Sequence, residues 1–169
     1  MNWTKLLEGE IADTYHATDG LMQLVDDKSL SWRPATGSNW MTTAQLLMHL
    51  TNACGACCRG FVSGEWPLPK DAKPSDMLPP AEKLPAVASV AEARKLLAAD
   101  KALALEMIHK AGETDLAGRM VSAPWDPRLK PLGHQCLGMV QHLGSHKSQL
   151  FYYLKLQGEP VHTGNLWGM

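Results

Sequence analysis

Two histidines with a spacing that suits metal binding lie near the end of the chain, at His142 and His146. In an α-helix, residues four apart are separated by about 40° around the axis and about 6 Å along it. Such a pair can direct two imidazoles at one ion, and imidazole is a common ligand of zinc, nickel, copper and iron. If the segment is helical, the spacing indicates a transition-metal site.

The sequence around this pair has a helical pattern. We predict a helix from about residue 134 to 157, ended by the Gly-Glu-Pro sequence at 158–160. The histidines border its apolar stripe, and Gln149 and Tyr153 lie within about 20° of the direction of His142. Both polar residues are candidate catalytic residues that orient a substrate. The alternative is that they only hydrogen-bond to the histidines.

A third histidine, His49, holds a similar position on an earlier helix. That helix is predicted to begin near Asn39 and to end between residues 60 and 64, with His49 at the edge of its apolar face. Three histidine ligands would leave one coordination position free, which is the pattern of catalytic rather than structural sites. The simpler alternative is three unrelated histidines at the edge of the core, each with a hydrogen bond and no metal.

The elements that must position these residues are predicted to be helices alone. Residues 66–85 contain six of the eleven prolines and residues 113–131 form a second loop, so both segments should be irregular. No segment has a convincing strand pattern. The prediction is an all-α fold, a four-helix bundle with a long proline-rich connection between helices 2 and 3, in one domain spanning residues 1–169. The four predicted helices are 3–25, 39–64, 89–110 and 134–157.

Composition excludes several classes of function. The formal net charge of -1 and the balance of 45% hydrophobic to 20% charged residues do not favour nucleic acid or an anionic membrane. The first residues lack the apolar core of a signal peptide, and no stretch reaches the roughly 18 apolar residues of a membrane span. We expect a cytoplasmic protein whose cysteines are free thiols.

The cysteines cluster in the second predicted helix. Cys54, Cys57 and Cys58 lie within five residues of one another, and Cys136 stands apart. A zinc ribbon needs a second CxxC pair, which the chain lacks. We therefore interpret them as small core residues, with a redox pair as the alternative.

Several short motifs, in this order, resemble the DinB-like (DinB/YfiT-like) metalloenzyme family. They are residues 30–34 (LSWRP), 39–50 (NWMTTAQLLMHL), 141–150 (QHLGSHKSQL), 153–158 (YLKLQG) and 166–168 (LWG). The resemblance implies an up-up-down-down bundle with a long connection between the second and third helices. The cysteine cluster is not a feature that we associate with the family.

The resemblance also implies a site and its use. One histidine from the second helix and two from an HxxxH motif on the fourth would bind nickel or zinc, and here these are His49, His142 and His146. Family members are frequently homodimers, and some are thiol-dependent transferases or isomerases. Because many have no known reaction, the chemistry stays open.

Two classes of function fit these observations. The first is a metal-dependent enzyme, either a hydrolase or a thiol-dependent transferase, acting on an unknown small molecule. The second is a non-catalytic dimeric bundle, stabilised by metal, that binds a small ligand or has a stress-related role. A bundle without metal is a third possibility.

Overall fold

The computed structural model describes residues 2–66 and 79–169 of the chain, and this part is mostly helical. The central stretch of the proline-rich connection predicted at 66–85 lies outside the described residues. The helices are α1 Trp3–Met22, α2 Thr43–Leu50, α3 Gly55–Ser63, α4 Val90–Gly118, α5 Leu132–Gln157 and α6 Thr163–Trp167.

The longest helices form the body of the molecule. α1 packs against both α4 and α5, and α3 packs against the same two helices. Their buried faces are aliphatic: Leu7, Ile11, Leu97, Ile108 and Leu143 are all at most 2% exposed. Burial of this apolar surface is the main force that holds the helices together.

The second predicted helix is wrong as a single element. α2 begins at Thr43 rather than near Asn39, because Thr42 and Gln45 form a capping box in which each side chain accepts from the other's backbone N–H. Asn39 instead adopts a left-handed conformation with φ of 60°. The chain then turns at residues 51–54, so that α3 is a separate helix.

The absence of strands was also a wrong prediction. β1 Met120–Ala123 and β2 Asp126–Pro131 form an antiparallel hairpin within the predicted loop 113–131. The strands are short and β2 carries two prolines, which an isolated pair tolerates because one side of each strand has no partner. Neither strand shows the apolar alternation that would have revealed it.

The predicted helix ends agree better with the structure. The third predicted helix was expected to stop near Gly112, and α4 has non-helical φ and ψ there before it continues to Gly118. α5 ends at Gln157, and the next residue, Gly158, has φ of 89° and closes the helix in the left-handed conformation. No helix in the described ranges 2–66 and 79–169 is long and apolar enough to cross a membrane.

Candidate metal centre

α5 and α2 together bring three histidines to one place. His142 and His146 occupy successive turns of α5, next to the fully buried Leu143 and Leu150 that fix this face against the core. His49 lies near the end of α2, beside the fully buried Leu46 and Leu50. All three histidines are half-buried, at the core edge where the sequence placed them.

The three imidazoles point the same ring nitrogen inward. The Nε2 atoms of His49 and His142 are 3.3 Å apart, and those of His146 and His142 are 3.1 Å apart. Two nitrogens bound to one ion at about 2.0–2.1 Å lie about 2.9 Å apart at a right angle and about 3.4 Å apart at a tetrahedral angle. The observed separations match two imidazoles that share an ion.

A backbone carbonyl fixes the orientation of His142. Its Nδ1 lies 3.2 Å from the carbonyl oxygen of Ala53, in the turn between α2 and α3. A carbonyl can only accept a hydrogen bond, so the Nδ1 of His142 must carry the proton. In the neutral ring, Nε2 is then left with a free lone pair.

A series of hydrogen bonds, here called the His146 chain, fixes the orientation of the His146 ring. Tyr153 donates its hydroxyl to the carbonyl oxygen of Met41 at 2.9 Å, so its oxygen is left to accept from Nε2 of Gln149 at 3.3 Å. That fixes the amide of Gln149 with its oxygen toward His146, where it accepts from Nδ1 at 2.9 Å. The Nε2 of His146 therefore also has a free lone pair.

Two bare nitrogens that face each other at 3.1 Å repel unless a cation lies between them. The hydrogen bonds to both Nδ1 atoms exclude the other neutral tautomer, in which one ring would donate to the other. The arrangement is therefore organised for a shared positive charge. Metal-binding histidines are commonly held in this way, with the outer ring N–H donated to a carbonyl or carboxylate oxygen.

The electrostatics of the site favour the neutral imidazole at His49 and His142. Burial, followed by repulsion from His146 and His142, lowers the pKa of His49 to about 4. Burial also lowers the pKa of His142, with a contribution from His146. Neutral imidazole is the form that binds metal, so these rings are ready to coordinate an ion near neutral pH.

The comparison with protein families agrees with this geometry. A model of the DinB superfamily matches residues 10–150, which include all three histidines and most of the 169-residue chain. The chain belongs to the DinB superfamily. A search of curated proteins and a search of solved structures each found no significant match.

Membership in the DinB superfamily and the histidine cluster are together compatible with a metal-binding protein. Within the described residues, His49, His142 and His146 are the group of side chains whose ligand atoms are close enough to hold an ion, all lying within 4.8 Å of one another. They are the three histidines that the sequence selected.

The two candidate catalytic residues lie on the side of His146 that faces away from the other two histidines. Gln149 contacts the Nδ1 side of His146, and Tyr153 is 2% exposed with its hydroxyl held by Met41 and Gln149. Gln149 contacts the outer edge of the ring rather than the Nε2 side where an ion would lie, and Tyr153 reaches the ring only through Gln149. For Gln149 this is the arrangement of the alternative interpretation, in which it hydrogen-bonds to a histidine, whereas Tyr153 hydrogen-bonds to Gln149 and Met41 instead.

The cysteines of this superfamily member lie outside the centre. Cys54, Cys58 and Cys136 are fully buried free thiols, and Cys57 is half-buried. Burial raises the pKa of Cys57 to about 12, so its thiolate is scarce at neutral pH. These are the properties of core residues.

Sequence reasoning missed the two backbone groups that orient the histidines. The carbonyls of Ala53 and Met41 act through the main chain, so their residue types carry no signal. The four histidines not assigned to the centre have other surroundings: His16 bonds to the carbonyl of Gly168, His109 bonds to Glu8, His134 is exposed, and His162 accepts from the backbone N–H of Gly164.

Proposed function

We propose that His49, His142 and His146 bind one divalent transition-metal ion, nickel or zinc, in a metal-dependent enzyme. The observation that carries the proposal is the convergence of three Nε2 atoms while hydrogen bonds hold the Nδ1 protons of His142 and His146. Histidines that only filled the edge of the core would each have a hydrogen bond, but their Nε2 atoms would have no reason to converge.

The neutral ligand set suits Lewis-acid chemistry. A divalent ion held by three uncharged imidazoles keeps its full charge, which serves either hydrolysis or the transfer of a thiol substrate. We propose an unknown small molecule as the substrate. Gln149 and Tyr153 would then act as positioning residues that hold His146, and a substrate would approach from the Nε2 side.

An aromatic side chain near this region could contact such a substrate. Trp40 is 38% exposed and its ring lies 6.4 Å, edge-on, from the ring of Tyr153. It directly precedes Met41, which anchors the His146 chain. We propose that the exposed face of Trp40 forms part of the substrate approach.

The same geometry favours a second candidate, a non-catalytic bundle stabilised by metal. An ion at this site would join α2 to α5, because His49 and the other two histidines lie on different helices. Such a crosslink would raise stability whether or not a reaction takes place. The two candidates differ in whether removal of the ion abolishes an activity or only lowers the melting temperature.

The first test is metal analysis of purified, tag-free protein by plasma mass spectrometry. We expect about one ion per chain in the wild type and none in a His142→Ala/His146→Ala variant. A His109→Ala/His134→Ala variant, which loses two exposed histidines elsewhere, is the matched control and should keep its metal. No metal in the wild type, even after reconstitution with nickel and zinc, would rule the site out.

A second experiment separates the two candidates. Chelated and metal-loaded protein would be compared for melting temperature and for activity on panels of ester, amide and thiol-acceptor substrates. Turnover that is lost on chelation and restored by metal supports the enzyme. A melting temperature that rises with metal while every panel stays inactive supports the structural role.

The wider architecture is part of the proposal. We infer that α2 and α3 together take the place of one helix in a four-helix bundle, that residues 1–169 form one domain, and that the protein is a cytoplasmic homodimer. The dimer follows from the habit of the family. Sedimentation equilibrium would test it, since a mass of 18.5 kDa, that of one chain, would contradict it.

A further inference from the structure

The turn between α2 and α3 presents to the metal centre a backbone carbonyl that has no hydrogen bond within a helix. In one continuous helix, the carbonyl of Ala53 would accept the backbone N–H of Cys57, four residues later. Here α2 ends at Leu50 and α3 starts at Gly55, and the carbonyl of Ala53 accepts from Nδ1 of His142 instead. The break in the helix is what makes this carbonyl available.

A buried carboxylate from another helix holds the break open. Asp100 of α4 is 5% exposed, and its two oxygens accept the backbone N–H groups of Gly55 and Ala56, each at 2.9 Å. These are the first two residues of α3, whose N–H groups have no partner within that helix. Asp100 therefore caps α3 from outside and stabilises a helix start at this position.

The capping carboxylate is itself fixed. Tyr15 of α1 donates its hydroxyl to Asp100 at 2.6 Å, in a buried position. The start of α3 also lies directly on the backbone of α4, because a Cβ on Gly55 would collide with the backbone oxygen of Asp100. A larger residue than glycine could not make this approach, so the cap and the contact act together.

We propose that Asp100 is a positioning residue of the histidine centre, acting on His142 through the α2–α3 turn. Without its carboxylate, the α3 N-terminus loses two buried hydrogen bonds, and the turn can relax toward continuous helix. The Ala53 carbonyl then turns to Cys57, and the Nδ1–H of His142 loses its partner. The effect on metal binding rests on the proposed function, whereas the effect on the imidazole does not.

The test uses Asp100→Asn, which keeps the shape of the side chain but places an N–H₂ group against one of the two backbone donors. The first measurement is the tautomer of each imidazole in metal-free protein, from ¹⁵N chemical shifts. We expect His142 to lose its preference for the Nδ1–H form. His146 is an internal control, because Gln149 holds it independently of the turn.

The second measurement is zinc affinity by chelator competition. Loss of an outer partner of a ligand typically weakens metal binding about 10–100-fold, and we expect Asp100→Asn to fall in this range. Tyr15→Phe leaves the carboxylate in place and should shift both readouts in the same direction by less. It serves as the test variant if Asp100→Asn does not fold.

A destabilised control separates positioning from general loss of stability. Leu116→Ala removes a fully buried side chain from the last turn of α4, beyond Asp100 and beyond the non-helical Gly112. It should lower the melting temperature without changing zinc affinity or either tautomer. An equal loss of zinc affinity in Leu116→Ala would overturn the proposal, as would an unchanged His142 tautomer in the Asp100 or Tyr15 variants.

Failure of the metal site itself would look different. If the wild type bound neither zinc nor nickel, the proposed function would be wrong, but the tautomer of His142 would still report whether Asp100 acts on it. A changed tautomer in protein that cannot bind either metal would leave Asp100 as a positioning residue of a centre without metal.

Discussion

The substitution Tyr153→Phe tests whether the His146 chain orients His146 for metal binding. The substitution removes one hydroxyl from a side chain that is 2% exposed and keeps the ring that packs edge-on with Trp32 at 5.1 Å. That hydroxyl both donates to the carbonyl of Met41 and accepts from Gln149. Packing is thus nearly unchanged, whereas two hydrogen bonds are lost.

The expected magnitudes follow from the groups left behind. An unpaired buried donor or acceptor costs about 1–3 kcal/mol of folding stability, and the lower end applies here because Met41 and Gln149 are half-buried. With no hydroxyl to fix its amide, Gln149 can turn over and present its N–H₂ group to His146. The Nδ1–H form of His146 is then less favoured, and zinc affinity should fall about tenfold, or about 1.4 kcal/mol.

The assay is competition with a chromophoric chelator near pH 7.5, with ¹⁵N shifts of the histidines recorded in parallel. Tyr152→Phe is the matched control: it removes a hydroxyl from the neighbouring residue, which is 62% exposed. We expect Tyr152→Phe to bind zinc like the wild type. A folded Tyr153→Phe protein with zinc affinity within about twofold of the wild type would refute the role of the chain.

Three further predictions concern pH, glycines and thiols. The pKa of His49 is about 4 in the folded metal-free protein, compared with an ordinary histidine pKa of 6.5. Between these two pH values the unfolded chain therefore binds more protons than the folded protein. Stability should therefore fall by about 1–2 kcal/mol between pH 6.5 and pH 4, after discounting for partial exposure, and His49→Gln should flatten that slope in urea unfolding. Gly158→Ala, at φ of 89°, should cost about 1 kcal/mol. Gly138→Ala, with open space around its Cβ in α5, should add about 0.5–1 kcal/mol, so that thermal melts of the two variants shift in opposite directions. With three thiols buried and the pKa of Cys57 near 12, the native protein should react slowly with Ellman's reagent, and fast native labelling would revive the redox alternative.

The sequence predicted the parts of the site that depend on local pattern. α5 is long, periodic and closed by Gly158, so its boundaries and the shared face of His142 and His146 followed from helix geometry. His49 followed from the same reasoning on a shorter helix. The angle of each histidine to its apolar stripe was sufficient to place all three at the core edge.

The parts that escaped prediction depend on residues far apart in the chain. The helix break at residues 51–54 is stabilised by Asp100, which lies 45 residues beyond Gly55 in sequence. Nothing in the local sequence around the break requires it, because the apolar pattern continues through Ala53 and Cys54. The β1–β2 hairpin was missed because its strands are too short to show a clear strand pattern in the sequence.

The two carbonyls that orient the histidines give α2 a particular importance. Met41 lies just before the Thr42 cap of α2, and Ala53 lies just after the helix ends at Leu50. One short helix therefore supplies His49 itself and, from the turns at its two ends, the acceptor at the end of the His146 chain and the acceptor for His142. Because both acceptors are main-chain atoms, side-chain substitution cannot remove them directly. The geometry of the centre instead depends on where α2 begins, which the capping box stabilises, and on where α3 begins after the turn, which Asp100 stabilises.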